Sequence, residues 1–351
     1  MMKGKRFRDF IMSLLRTRIK IPMTSMESIF YAWFSTIFTS DDKIIFKLKA
    51  NSRFRLNLLG KKSVYYRINS YGCRGEEFKF EANKDNLEKR VLLLGDSWTF
   101  GFQVVEEETY VYKLKELLSF YYNRKYKVFV INAGCPGYSS TQGLYYLKEI
   151  INFYKPDWII IQLGRNDKNY SNRTDREEIC SPFLVRKIRN FLRKNTFNNL
   201  LMKIYFRIRY KTLKRLSNRF PNEFDGHSVD IDKVINLCQK KGIKVPILLS
   251  RYKRRVSPEE FRDNCQEIKR ISSFYNARVI FIPPFVLVDG NKLMFDKDYF
   301  YGEPYINPFE EFYKEGIKNV FMDKVLHLKP KGHSIVANLL FKKMTELGFA
   351  E

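Results

Sequence analysis

A serine, a glycine, an asparagine and a histidine stand, in that order, where apolar runs of this chain give way to turns. Ser97 lies in Gly95-Asp96-Ser97-Trp98, directly after the run Val91–Leu94. Gly137 closes the segment Ile131-Asn132-Ala133-Gly134-Cys135-Pro136-Gly137. Asn166 lies in Gly164-Arg165-Asn166-Asp167, after the run Trp158–Leu163. His327 follows the short apolar segment Val320–Met322. A serine hydroxyl becomes an acyl-transfer nucleophile when an imidazole takes its proton, a carboxylate orients that imidazole and N–H donors hold the oxyanion. Asp323, four residues before His327, is the candidate carboxylate, and a four-residue spacing keeps both side chains on one face of a helical turn. Gly137 offers a backbone N–H, and Asn166 a side-chain amide.

Singly, these signals are ordinary. Gly-Asp-Ser is a common turn, and an Asn after a strand is often a cap. Of the three histidines, His333 sits inside a helix start, where a structural role suits it, and His227 lies in a polar stretch with no evident partner. Only His327 combines a nearby carboxylate with a preceding apolar strand, Val320–Met322, and a following helix. The weight of the pattern comes from four such residues at successive strand ends of one repeating arrangement.

That arrangement must come from alternating strands and helices. Val91–Leu94, Val128–Ile131, Trp158–Leu163 and Arg278–Ile282 read as short buried strands. Thr109–Phe120, Thr141–Tyr154, Ser257–Phe274 and Lys331–Leu347 carry helical periodicity or caps, with Ser257, Pro258 and Glu260 forming a clear helix start. The alternation predicts a parallel sheet with right-handed crossovers, and ligands bind such sheets at the carboxyl ends of the strands. Residues 1–85 form a basic, aromatic N-terminal extension. Residues 86–170 and 256–351 carry the α/β pattern. Residues 171–255 interrupt it as a basic, mainly helical insert. From Arg186 to Arg219 the insert has twelve basic residues and no acidic one, beside an apolar stripe at Leu184, Ile188 and Leu192, then Leu201, Ile204, Ile208 and Leu216. The stripe is expected to face the main domain or an acyl chain, with the basic face outward.

The chain has 351 residues, 44% of them hydrophobic and 16% aromatic, enough for a sizeable core. Its formal net charge of +26 favours an anionic partner, or else a lysine-rich solvated surface. An anionic membrane surface is one such partner. A nucleic acid is the weaker choice, because no DNA- or RNA-binding motif accompanies the charge. Five cysteines with no C-x-x-C pair argue against a disulfide framework or a zinc site, and no metal or organic cofactor is expected. The apolar core at Phe10–Leu15 is too short for a signal peptide, and the run Ile29–Phe38 is too short for a membrane span. A cytoplasmic protein, peripheral to the membrane if it touches one, is the expectation.

The chain resembles an SGNH hydrolase of the GDSL type, whose four signature blocks begin with Ser, Gly, Asn and His. The resemblance covers about residues 65–170 and 256–351. It is nearest to bacterial members with an N-S-x-G-x-R-G segment before the serine block, here Asn69–Gly75. It implies a flavodoxin-like three-layer α/β/α sandwich with a central parallel sheet. It also implies a serine esterase in which Ser97 attacks an acyl carbonyl, His327 acts as base and then acid, and Asp323 orients it. The oxyanion hole would comprise the N–H groups of Ser97 and Gly137 and the Asn166 side chain. The family usually shows D-x-x-H, and here the spacing is one residue longer. The implied substrate is an acylated glycan or lipid. An O-acyltransferase shares the first half-reaction. The alternative of a different class is a catalytically idle protein that binds membrane surfaces or polyanions.

Overall fold

The computed structural model describes residues 36–56, 63–79, 87–122, 125–171, 173–194, 224–225, 228–229, 231–242, 253–284, 286–288, 292–294, 302–322 and 327–349. Four antiparallel strands come first: β1 Phe38–Asp41, β2 Ile45–Leu48, β3 Ser52–Leu56 and β4 Val64–Ile68. β1 pairs with β2, and β3 with β4. Next come β5 Glu88–Gly95, the short helix α1 Ser97–Phe100, α2 Tyr110–Tyr121, β6 Lys127–Gly134, α3 Ser140–Tyr154 and β7 Trp158–Gln162. α4 Asp175–Ile179, α5 Phe183–Lys194 and α6 Ile231–Lys240 belong to the insert. α7 Pro258–Phe274, β8 Arg278–Phe281, α8 Phe309–Glu315, α9 Ile317–Val320 and α10 Pro330–Glu346 complete the chain.

The central sheet has the order β8-β7-β5-β6, and every pairing in it is parallel. Alternation along β5 sends Leu92 and Leu94 into one apolar cluster and Val91 and Leu93 into another, and β7 does the same with Ile159 and Ile161 against Trp158 and Ile160. α3 and α7 bring Leu147, Ile151 and Ile268 to the first cluster. α2 and α10 bring Leu114, Val336 and Leu340 to the second. Helices on both faces of a parallel sheet make the three-layer α/β/α sandwich expected from the sequence. The strand order reverses between β6 and β7, on either side of β5, and that switch point is where such sheets bind ligands.

The basic N-terminal region contributes built structure. Arg74 bridges Ile68 at the end of β4 to Asn132 of β6, so the β3–β4 hairpin is tied to the sheet edge. Asn69 holds the turn between them by accepting from the Tyr71 and Cys73 N–H groups at 3.1 and 2.9 Å. Of the run Ile29–Phe38 only the end is described, and Ile37 and Phe38 are buried.

Two expectations need correction. Val320–Met322 is not a strand. The Val320 and Phe321 N–H groups donate to Gly316 and Ile317 carbonyls at 3.3 and 3.0 Å, so they close helical turns, and only Phe321 forms a single bridge to Leu328. The apolar stripe of the insert does not pack inward at its start. Leu184 and Ile188 of α5 are 68% and 52% exposed, whereas Asn190 is 7% exposed. Asn190 donates to Asp42 beside β1, and Arg186 donates to the Ile179 carbonyl at 2.7 Å. These polar partners hold the polar side of α5 inward. Most of the basic run Arg186–Arg219, with the later part of its apolar stripe, and His227 lie outside the described residues. All five cysteines are free thiols, and only Cys180 is exposed.

Candidate active site

The serine turn is shaped by three local demands. β5 ends at Gly95, where an added Cβ would lie 1.9 Å from Thr99 Oγ1 and 2.8 Å from the Gln162 carbonyl oxygen. Gly134 at the end of β6 is as tight, with Phe100 N at 2.3 Å from an added Cβ. The two glycines therefore let α1 sit directly on the strand ends. Asp96 then caps α1, accepting the Trp98 N–H at 3.0 Å, and Gly101 ends it in a left-handed conformation with φ +76°. Arg74, buried, donates to the carbonyls of Phe100, Gly101 and Val104 at 2.6, 2.5 and 2.7 Å. Its guanidinium also lies over the Tyr66 ring, 4.6 Å from the centroid. The basic segment before the serine block thus pins the far side of the serine turn.

Ser97 Oγ lies 3.2 Å from His327 Nε2, across 230 residues of sequence. Both residues are half-buried. The Phe102 ring packs on the imidazole, with centroids 4.7 Å apart, and the His327 carbonyl accepts the Met322 N–H at 2.8 Å. In the tautomer carrying its proton on Nδ1, the imidazole accepts from the serine hydroxyl, which is the geometry of a base beside its nucleophile. Asp323 lies outside the described residues.

Asn166 sits on the turn after β7. Its side-chain N–H groups donate to Asp96 Oδ2 and to the Tyr138 carbonyl, both at 3.1 Å. Asp96 precedes Ser97 and Tyr138 follows Gly137, so one carboxamide touches the serine turn and the glycine turn together. Gly137 itself has φ +84°, a conformation that favours glycine. Among the described residues, the N–H groups of Ser97 and Gly137 donate to no acceptor.

The electrostatics centre on buried carboxylates. Burial pushes the Asp96 carboxyl up to about 6, against the Trp98 N–H and the Arg165 charge, which pull it down. Burial likewise pushes Asp167 up to about 7, although Ser140 donates to it through both its N–H and its hydroxyl. His333 is also buried. Desolvation lowers it to about 3, so it stays neutral, and its Nδ1 accepts the Tyr110 N–H at 3.2 Å. Among the described residues no group of three metal-ligating side chains converges.

Sequence reasoning missed the support beneath the glycine turn. Arg255, at the end of the insert, donates to the Gly137 carbonyl at 2.8 Å, to Asp175 Oδ2 at 2.8 Å and to Gln142. Asp175 in turn accepts from the Ser139 hydroxyl. A two-residue ladder between Tyr170–Ser171 and Lys253–Arg254 closes the base of the insert beside them. The only available signal was an arginine at a domain boundary, one of many basic residues there.

The model of the GDSL-like lipase/acylhydrolase family matches residues 93–335, more than half of the chain. No curated protein sequence matches. Solved structures with similar folds include a lipase/acylhydrolase from Enterococcus faecalis, at 17% identity, 74% coverage of this chain, 96% of that chain and a TM-score of 0.39. Another is an acetyl xylan esterase from Geobacillus stearothermophilus, at 15% identity, 73% and 94% coverage and a TM-score of 0.40. A third is a psychrotrophic esterase from Pseudoalteromonas sp., at 12% identity, 74% and 98% coverage and a TM-score of 0.39.

Proposed function

Since the chain belongs to the GDSL-like lipase/acylhydrolase family and is an SGNH-type ester hydrolase, we propose that it removes an O-acyl group, acetyl foremost, from a glycan or lipid through a serine acyl-enzyme. Ser97 Oγ attacks the ester carbonyl carbon while its proton passes to His327 Nε2. The carbonyl oxygen takes the negative charge and is held by the N–H groups of Ser97 and Gly137 and by the Asn166 carboxamide. Collapse expels the alcohol, which takes the proton back from His327. Water then attacks the acyl-serine by the same route, with His327 first accepting and then returning a proton to Ser97. Asp323 is the group proposed to orient the imidazole.

The observation that carries this reading is the 3.2 Å approach of Ser97 Oγ to His327 Nε2, with the Ser97 and Gly137 N–H groups donating to no acceptor among the described residues. The test is hydrolysis of p-nitrophenyl acetate together with labelling by a fluorophosphonate probe. Ser97→Ala is expected to abolish both, with the wild-type label mapped to the Ser97 peptide. Unchanged hydrolysis in Ser97→Ala, or a label on another residue, defeats the assignment. Product analysis with a sugar acceptor present separates water from a hydroxyl as the final acyl acceptor.

A further inference from the structure

From the inverted seating of α5 we infer that its outer face docks on the surface of an anionic lipid bilayer. The helix reads Phe-Leu-Val-Arg-Lys-Ile-Arg-Asn-Phe-Leu-Arg-Lys from Phe183 to Lys194. At 100° per residue, Leu184, Val185 and Ile188 share one side, and Arg186 and Asn190 share the opposite side. A surface helix in a globular protein ordinarily turns the apolar side inward. Here the reverse holds. Asn190 is engaged with Asp42 and Arg186 with the Ile179 carbonyl, while Phe183, Leu184, Val185 and Ile188 are 58%, 68%, 43% and 52% exposed. Leu184, Val185 and Ile188 thus form one exposed apolar face, with Phe183 exposed at the helix start, not the scattered single residues of an ordinary surface.

The charge on the page selects the occupant. A second copy of the chain would bring another +26 against the first, and an interface between copies would have to overcome that repulsion. An anionic bilayer offers both things the helix lacks: an apolar layer beneath the headgroups for the exposed side chains, and negative charge for the flanking cations. Lys187, whose ammonium lies 4.7 Å from the Phe183 ring centroid, sits at the border of the two faces, as an interfacial helix requires. The twelve basic residues from Arg186 to Arg219, with no acidic one among them, strengthen the same attraction. No described helix is long and apolar enough to cross a membrane, so this contact lies on the surface. The inference is independent of which ester the site cleaves.

The full-length protein is sedimented with vesicles of phosphatidylcholine alone and with vesicles that also contain phosphatidylglycerol. Binding to the second kind only is expected, falling as salt rises. The double variant Leu184→Ser/Ile188→Ser should bind the anionic vesicles roughly ten-fold more weakly. Both side chains are exposed, so its Tm and its hydrolysis of soluble p-nitrophenyl acetate should match wild type, which keeps this test separate from that of the esterase reading. Ile188→Trp adds an indole at the same face, and its emission should shift to the blue on anionic vesicles. No wild-type binding, unweakened binding by the serine variant, or an indole that does not respond overturns the inference. So does a wild-type dimer in sedimentation velocity that the serine variant dissociates, since a second copy would then be the occupant.

Discussion

Asn166 donates its side-chain amide to the carboxylate of Asp96 at 3.1 Å, and spends its other N–H on the Tyr138 carbonyl at the same distance. The pair ties the turn after β7 to the turn after β5. In the proposed mechanism an oxyanion at Ser97 has to share or displace one of these bonds, whereas among the described residues the Ser97 and Gly137 N–H groups donate to no acceptor. Asp96 holds Trp98 N with one oxygen and Asn166 with the other. Asp96→Asn cannot serve both donors, because one of them must then face an NH2. The expected outcome is a fall in kcat of roughly ten-fold or more with little change in KM, as for a weakened oxyanion donor. Steady-state kinetics on p-nitrophenyl acetate reads this directly, and an unchanged kcat would detach Asp96 from the oxyanion site.

The same carboxylate sets a pH dependence of stability. Burial raises Asp96 from 3.8 to about 6. Between those values the folded protein keeps a proton that the unfolded chain has released. Stability therefore falls as pH rises through this window, and is fully present below it. Asp96→Asn lacks that slope. The wild-type Tm minus the variant Tm should be larger, by a few degrees, near pH 4 than near pH 8. Thermal melts of the two proteins across this range decide it, and parallel curves would mean that Asp96 keeps its ordinary pKa.

His327 and Asp323 should differ in weight. His327→Ala removes the proposed base and is expected to lower kcat by roughly a thousand-fold or more. Asp323→Ala removes only the proposed orienting group, and the Phe102 ring still packs on the imidazole. Its loss should be clearly smaller, with KM preserved. Equal losses in the two variants would show that the imidazole cannot hold its orientation without the carboxylate.

Much of the sheet was legible because buried parallel strands and capped helices leave strong local signals. Val91–Leu94 and Trp158–Leu163 are unbroken apolar runs, and Ser257-Pro258 announces a helix. The strand ends then placed Ser97 and Asn166 on one sheet edge. Other features have no such signature. Arg74 acts on three backbone carbonyls, which every residue possesses, so its partners cannot be read from sequence. Arg255 depends on Asp175, Gln142 and Gly137, three residues brought together only by the fold. Periodicity identified the two sides of α5 but not which side the protein would claim. That was decided by Asp42 and the Ile179 carbonyl, both remote from the helix pattern.

Gly134 tests how closely α1 must sit on the strand ends. An added Cβ would meet Phe100 N at 2.3 Å and the Thr99 carbonyl carbon at 2.7 Å, both backbone atoms that cannot swing away. Gly134→Ala should therefore destabilise the fold by about 2 kcal/mol or more, the cost of overpacking a rigid contact. Because α1 carries Ser97, kcat should fall as well. Urea denaturation reads the first effect and esterase kinetics at low temperature the second. A variant as stable as wild type would show that α1 can lift away freely.

Arg255 links the insert to the glycine turn, and its removal should separate stability from turnover. Its side chain is 14% exposed and that of Asp175 6%, so Arg255→Gln strands a buried carboxylate, at a cost of about 3 kcal/mol. Asp175→Asn/Arg255→Gln removes both charges and should recover most of that stability. It cannot restore the guanidinium bond to the Gly137 carbonyl, so the turn that presents the Gly137 N–H stays loose. The double variant is thus expected to melt near wild type yet keep a kcat lowered by roughly ten-fold, a split that a purely structural ion pair does not produce. Recovery of kcat in step with Tm would reduce Arg255 to a structural partner of Asp175.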